Sequence, residues 1–330
     1  MPQEFTNEEA KLFLERITPN KDYLYIFQPM GLAAILCAGG LSYAAQEKRS
    51  KKSTVLIVHE SKADFGLKYK NVEKISYIAP QILNAIKKYL DDNEIHETDN
   101  FIYGYFDAND TKIFTVAEGL NWLDYYKKKI FDIPMDTPFH PPIITPLSEE
   151  EIDYWNHQYI LDKERTIILS ASQNLKSAEE LDFWNKLIKK LSEKNYIVYT
   201  YLEYSTQKPF QNTSPLFANI SELSYISNNA KSFISSNIGI SFFLAMTTDT
   251  NIFFLNEFPA WVLNINQMFP RSKSHIFYMA YNQMKAIIEA CAKDCVISQI
   301  KFSHPKINSE DIFYSYEDIL ENILETVEKI

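Results

Sequence analysis

Glycine is scarce in this sequence, with 7 residues in 330. Phosphate-cradling loops depend on glycine for close backbone approach, so each glycine here is informative about where the backbone meets something else. Cysteine is scarcer, at 3, which excludes a disulfide framework and fits reduced thiols. Cys291 and Cys295 stand four apart on an expected helix, but His275 and His304 complete no recognisable metal spacing. Both thiols therefore read as packing residues. No Asp-x-Asp closes a strand in the second half, so neither a metal nor any other cofactor is expected.

Positive charge is in deficit. The chain carries 33 Lys and Arg against 43 Asp and Glu, a formal net charge of −10. A nucleic-acid surface needs a basic stripe to displace counterions, and none is present. The longest cationic run, Lys48-Arg49-Ser50-Lys51-Lys52, falls where a helix should end. It reads as favourable charge at a helix C-terminus beside a solvated loop, with peripheral contact to an anionic membrane as the alternative. Long apolar runs are missing too, and none approaches the roughly 18 residues of a membrane-spanning helix. The first 20 residues read as an acidic amphipathic helix rather than a signal sequence. Thr6-Asn7-Glu8-Glu9 forms a capping box ahead of Ala10, Leu12, Phe13 and Leu14. A cytoplasmic location is the expectation.

What is present is a globular composition long enough for two cores. Short β-rich runs alternate with helical stretches, the pattern of parallel sheets with crossover helices. In the first half, strands are expected at 23–28, 54–59, 74–79 and 101–106, with helices at 32–47, 80–91 and 116–130. The unbroken apolar run Val55-Leu56-Ile57-Val58 implies burial on both faces of a sheet. The segment 133–147 then brings Pro134, Pro138, Pro141, Pro142 and Pro146, which suit neither a helix nor a central strand, and it reads as a linker.

After a helix at 148–160, the strand–helix pattern restarts. Strands are expected at 166–170, 196–202, 232–235 and 252–255, with helices at 178–192, 221–229, 240–247 and 311–329. Leu181, Trp184, Leu187, Ile188 and Leu191 share one face of the helix at 178–192. The fold class is therefore α/β, with two doubly wound, Rossmann-like domains facing an interdomain cleft. The boundaries are 1–145, 146–310 and a closing helix at 311–330.

Ligands of such sheets sit beyond the carboxyl ends of the strands, which directs attention to particular turns. Met30-Gly31 follows the first strand and opens a helix, where an anion or a tight turn are both natural. Gly39-Gly40 within that helix suggests close helix–sheet packing. Ser172 and Lys176 lie in one loop after the first strand of the second half, and hydroxyls with an ammonium suit a diphosphate. Ser236-Asn237-Ile238-Gly239 is a strand-to-helix turn whose amides can point at a phosphate. Glu203 ends the strand between these loops, where a carboxylate can take ribose hydroxyls or lie in solvent.

On these stretches the chain resembles glycosyltransferase family 9, the lipopolysaccharide heptosyltransferases and their relatives, whose fold is called GT-B. The likeness covers about three-quarters of the chain and is strongest from 130 to 257. It rests on the proline-rich approach to Leu147-Ser148-Glu149-Glu150-Glu151, on the strand and loop from Thr166 to Lys176, and on Trp184. Ile220-Ser221-Glu222-Leu223, the passage 233–245, and the opening turn 28–31 with the helix segment 36–45 complete it.

The resemblance implies a donor site in which Lys176 meets the diphosphate, Ser172 assists, and Glu203 holds ribose. Asn237, Ile238 and Gly239 fill the family's Asp-Thr-Gly positions. Three departures stand out: Ala34 where the family has a catalytic Asp, Asn237 for the motif's Asp, and Phe242 for its His. Another residue must then act as base, and His59, Glu60 and Asp64 after the second strand are the candidates, with Asp107, Asp110 and His140 behind them. The implied activity is inverting, metal-independent transfer of a hexosyl or heptosyl group from a nucleotide-sugar to a cell-surface glycan or related acceptor. The alternative is a catalytically degenerate nucleotide-binding or assembly subunit.

Overall fold

The computed structural model describes residues 5–105, 120–171, 178–203, 207–256, 268, 273–278 and 316–330. The chain divides into two compact units, one running to Ile144 and one from Thr145, with Leu120 and Asn121 counted in the second.

The first unit opens with α1 (Asn7–Ile17), closed at its start by the expected capping box. The Glu9 amide donates to Thr6 Oγ1 at 3.2 Å, and the Thr6 amide to the Glu9 carboxylate at 2.8 Å. There follow β1 (Tyr23–Gln28), α2 (Leu32–Lys48), β2 (Ser53–His59) and a 3-10 turn (Glu60–Phe65). Then come β3 (Val72–Ile78), α3 (Pro80–Asp92), β4 (Glu97–Thr98) and β5 (Phe101–Tyr103). The sheet order is β3-β2-β1-β5-β4, parallel except for β4, which runs antiparallel to β5. The apolar run of β2 is buried on both faces, as its composition required. Tyr25, Phe27, Val55 and Ile57 share a core with Leu83, Ile86 and Leu90 of α3, and Phe13 and Leu14 of α1 pack against it. Alternation turns Leu24, Ile26 and Leu56, all fully buried, to the face packed on α2.

The described part of the helix expected at 116–130 is α4 (Trp122–Tyr125), which widens into a π turn at Tyr126–Ile130. The proline-rich segment that follows is not a loose tether. The His140 amide donates to Gly40 O at 3.0 Å and the Ile143 amide to Lys68 O at 2.7 Å. This corrects the reading of Gly39 and Gly40. A Cβ at Gly39 would lie 2.3 Å from the Tyr69 ring, and one at Gly40 would lie 2.1 Å from the Phe139 ring. The glycines thus admit aromatic rings from two loops, one of them in the proline-rich segment, rather than the sheet.

The cations of the 48–52 run are engaged inside this unit. Lys48 pairs with Asp132, Arg49 with Glu97 and Lys52 with Asp22, while Lys51 Nζ donates to Lys21 O at 3.0 Å. Among the described residues no helix is long and apolar enough to cross a membrane.

The second unit begins with α5 (Glu149–Gln158), where Ser148 and Glu151 form another capping box. Its remaining elements are β6 (Thr166–Ser170), α6 (Ala178–Glu193), β7 (Ile197–Tyr201), β8 (Ser214–Leu216) and α7 (Ile220–Asn228). After them come β9 (Ser232–Ser235), α8 (Ile238–Thr247), β10 (Asn251–Asn256), β11 (Lys273–Tyr278) and α9 (Tyr316–Lys329). The sheet order is β11-β10-β9-β6-β7-β8, all parallel. The chain winds outward from β6 to β8, returns to lay β9 beside β6, and winds outward again to β11. That reversal makes the sheet doubly wound, with its switch point between β6 and β9.

Trp184, Leu187, Ile188 and Leu191 of α6 meet Ile319, Ile323 and Val327 of α9 in one core with the sheet. The closing helix is therefore built into this unit. Leu181, expected on the same stripe of α6, sits at its rim and is 43% exposed, while Phe183 is buried instead. Strands β4, β8 and β11 were not expected from the sequence. The first two span only two and three residues, and β11 starts on the polar Lys273-Ser274-His275, so none shows a long apolar run.

Candidate functional site

The switch point of the second unit gathers several of the residues singled out by sequence. β6 ends at Ser170 and β9 at Ser235, and these two are direct partners in the parallel ladder. The Ser236 amide extends that ladder with a bond to Ser170 O at 3.0 Å. The chain then turns sharply. Ser235 Oγ accepts the Asn237 amide at 2.9 Å and donates to Asn237 O at 3.3 Å. Asn237 is the N-cap of α8, with φ −87° and ψ 98°, and its Oδ1 accepts from the Ile240 amide at 3.4 Å.

Ile238 and Gly239 form the first turn of α8 and are half-buried. Amides in a helix's first turn have no carbonyl one turn earlier to bond, and they carry the positive end of the helix dipole. A third strand contributes as well. Asn237 Nδ2 donates to Glu203 Oε2 at 3.3 Å, and the Glu203 amide is fixed by Gln207 Oε1 at 2.7 Å. The ends of β6, β7 and β9 thus bring Glu203 and the 235–239 turn together. The arrangement presents amides suited to an anion and, beside them, a half-buried carboxylate. Ser172 and Lys176 lie outside the described residues.

The switch point of the first unit lies between β1 and β5. Gln28, at the carboxyl end of β1, is fully buried and uses both ends of its amide. Its Nε2 donates to Gly104 O at 2.8 Å and to the Tyr126 hydroxyl at 3.0 Å, and its Oε1 accepts from the Met30 amide at 3.1 Å. Burial pushes the Tyr126 phenol well above the ordinary tyrosine value, so it stays neutral. A Cβ at Gly104 would approach Gln28 Nε2 to 2.7 Å, so any other residue there would displace the Gln28 amide. Gly31 differs. As N-cap of α2 it has φ −67° and ψ 176°, and a Cβ there would meet nothing within 4 Å. Neither strain nor crowding demands glycine at 31, and the backbone there faces open space.

The candidate bases sit on the turn after β2. His59 Nδ1 accepts the Ser61 amide at 3.0 Å, which caps the 3-10 turn and leaves the neutral ring's proton on Nε2. In that state the ring's one available lone pair is engaged by the Ser61 amide. Glu60 is exposed, and the side chain of Asp64 lies outside the described residues, as do Asp107 and Asp110. His140 packs edge-to-face on Tyr43 at 5.9 Å, beside the middle of α2. From Gly31 to Gly40 the helix rises about 13 Å, so His140 is remote from the Met30-Gly31 turn.

No family model matches this sequence, and no curated protein matches it in sequence. Solved structures are. A glycosyl transferase family 9 protein from Veillonella parvula DSM 2008 superposes with a TM-score of 0.54 at 11% identity, over 94% of this chain and 98% of that one. The chain has a GT-B-like fold. The ADP-heptose lipopolysaccharide heptosyltransferase II of E. coli gives a TM-score of 0.47 at 11% identity, over 84% of this chain and 99% of that one. The E. coli heptosyltransferase WaaC with ADP gives 0.45 at 11%, over 81% and 99%. These two add nothing to the fold assignment.

Within this GT-B-like fold the three departures take distinct places. Ala34 is 3% exposed in the first turn of α2, inside the core. Phe242 is fully buried in α8, edge-on to Phe254 at 6.4 Å, and so belongs to the apolar interior. Asn237 alone stands at the site, where it caps α8 and touches Glu203. The clasp made by Gln28 was missed by sequence reasoning. A glutamine ending an otherwise apolar strand was the available signal. Cys291, Cys295 and His304 lie outside the described residues, and His275 stacks on Phe253 at 4.8 Å.

Proposed function

We propose that this chain is a glycosyltransferase that binds a nucleoside-diphosphate sugar at the carboxyl edge of the second unit's sheet. The observation that carries the reading is the 235–239 turn at the β6/β9 switch point, with Glu203 hydrogen-bonded to Asn237 beside it. The donor's diphosphate lies against the amides of Ile238 and Gly239, with Ser236 alongside, and Ser172 and Lys176 are its further expected partners. Glu203 takes the ribose. Transfer is direct: an acceptor hydroxyl oxygen bonds to the anomeric carbon as the bond to the diphosphate oxygen breaks, which inverts that carbon. The leaving nucleoside diphosphate keeps the electron pair, stabilised by the first-turn amides of α8 and by the Lys176 ammonium. The acceptor is a cell-surface glycan or a related saccharide, bound near Met30 and Gly31. The chemistry uses no metal or other cofactor and takes place in the cytoplasm.

The acceptor's proton goes to a base. With alanine at position 34, that base is drawn from Asp64 and Glu60 on the turn after β2. His59 serves only if its cap on Ser61 opens. A second reading, a nucleotide-binding or assembly subunit without turnover, is favoured by Ala34, Phe242 and Asn237, which replace the family's Asp, His and Asp.

Calorimetry with a panel of nucleoside diphosphates tests the proposal. Binding is expected for at least one of them, and Lys176→Ala should weaken it by about 1–3 kcal/mol, the scale of a charge-assisted hydrogen bond. Absence of binding across the panel sinks it. Binding without transfer to any of a panel of saccharide acceptors selects the second reading.

A further inference from the structure

We propose that Asn237 is a positioning residue that holds the Glu203 carboxylate for the donor's ribose diol, and that a neutral amide is required there because Glu203 is charged. The inference rests on the nucleotide-binding reading above and adds to it a specific device. Both ends of the Asn237 side chain are committed. Oδ1 accepts from the Ile240 amide at 3.4 Å, and Nδ2 donates to Glu203 Oε2 at 3.3 Å. This fixes the amide's orientation, since only oxygen can face an N–H and only nitrogen can face a carboxylate. An aspartate at 237 would keep the cap but set two carboxylates in contact, an arrangement in which both cannot stay ionised cheaply.

Glu203 is held from its other side by backbone. Its amide is anchored on Gln207 Oε1 at 2.7 Å, and Asn237 bonds one oxygen of its carboxylate. The chemistry suits a vicinal diol. A carboxylate has about four acceptor positions and can accept from an amide and from two hydroxyls at once. Asn237, meanwhile, opens the helix whose first-turn amides would meet the diphosphate. One residue thereby couples the sugar end of the nucleotide to the phosphate end.

The test compares the tightest-binding nucleoside diphosphate with its 2′-deoxy form by calorimetry, in wild type and four variants. Wild type should prefer the ribose form by about tenfold, the scale of one hydrogen bond to a charged group. Asn237→Ser retains a hydroxyl to cap Ile240 but loses the donor to Glu203. It should lower ribose-form affinity about tenfold and leave the deoxy form nearly unchanged, so that the preference collapses. Glu203→Gln should do the same, and Asn237→Asp at least as much. The exchanged pair Asn237→Asp with Glu203→Gln rebuilds the hydrogen bond with donor and acceptor reversed and removes the contact of two carboxylates, so it should bind the ribose form more tightly than Asn237→Asp alone while keeping the low ribose preference of Glu203→Gln.

Equal losses for both nucleotides in Asn237→Ser would mean a helix cap only and would overturn the inference. So would a wild-type protein indifferent to the 2′-hydroxyl, or an exchanged pair no better than Asn237→Asp alone. Should Asn237→Asp fail to fold, as judged by melting temperature, the Asn237→Ser and Glu203→Gln ratios decide. A wild type that binds no nucleoside diphosphate removes the underlying reading and this inference with it.

Discussion

Replacing Gln28 by leucine removes the amide that ties the β1–α2 turn to β5 and to the π turn, at almost constant volume. The loss is therefore polar. Three hydrogen bonds go, to Met30 N, Gly104 O and the Tyr126 hydroxyl, each worth about 1 kcal/mol net. The buried Gly104 carbonyl also loses that donor inside the strand end, at a further cost of about 1–3 kcal/mol, which brings the total to about 4–6 kcal/mol. Gln28→Glu should cost no less, because a carboxylate oxygen would then face the Gly104 carbonyl.

Because the chain has two units, a single unfolding midpoint is ambiguous. Hydrogen exchange read on peptides of β1 and β5 isolates the first unit. Protection there should fall by the amount above in Gln28→Leu, most of all at Met30, while peptides of β6 and β9 should be unaffected. Tyr126→Phe alone should cost about 1 kcal/mol, and the double variant less than the sum, since both changes break one shared bond. Protection in β1 and β5 unchanged to within about 0.5 kcal/mol would refute the clasp, and strict additivity would refute its link to Tyr126.

Gly40→Ala should destabilise the first unit by about 1–3 kcal/mol through its clash with the Phe139 ring. Phe139→Ala in the same chain should return part of that loss in a denaturation measurement. Cys37, fully buried with its thiol pushed up to about 12 by desolvation, should resist alkylation at pH 8 in the native protein and react once unfolded, as read by peptide mass spectrometry. Lys52, hydrogen-bonded to Asp22, holds the Asp22 carboxyl below its ordinary value. Stability from that pair is present above the unfolded carboxylate value and is lost as pH falls through the folded one. Asp22→Asn should therefore melt slightly below wild type at pH 7, with the difference closing below about pH 3 and shrinking in salt.

The strongly patterned elements were legible in the sequence for simple physical reasons. Val55-Leu56-Ile57-Val58 can only be a strand covered on both faces, and Thr6 with Glu9 states where a helix begins. The doubly wound layout followed from alternation of such runs. Contacts between distant segments were not legible. Nothing in local spacing says that Gly39 and Gly40 face Tyr69 and Phe139, or that the proline-rich stretch is bonded to α2. The site divided along the same line. The 236–239 turn and Glu203 were each visible as strand ends, because cap-forming residues and a carboxylate stand out after apolar runs. Their meeting across β7 and β9 depends on strand order, which sets both strands beside β6 and leaves the short β8 at the edge. Gln28 was hidden for a related reason, since its partners lie 76 and 98 residues away.

The central claim is tested most directly by a crystal structure of the protein with the nucleoside diphosphate it binds most tightly. The diphosphate should lie within hydrogen-bond distance of the Ile238 and Gly239 amides, with the ribose against Glu203. A nucleotide seated instead at the Met30-Gly31 turn, or none at saturating concentration, would contradict the account.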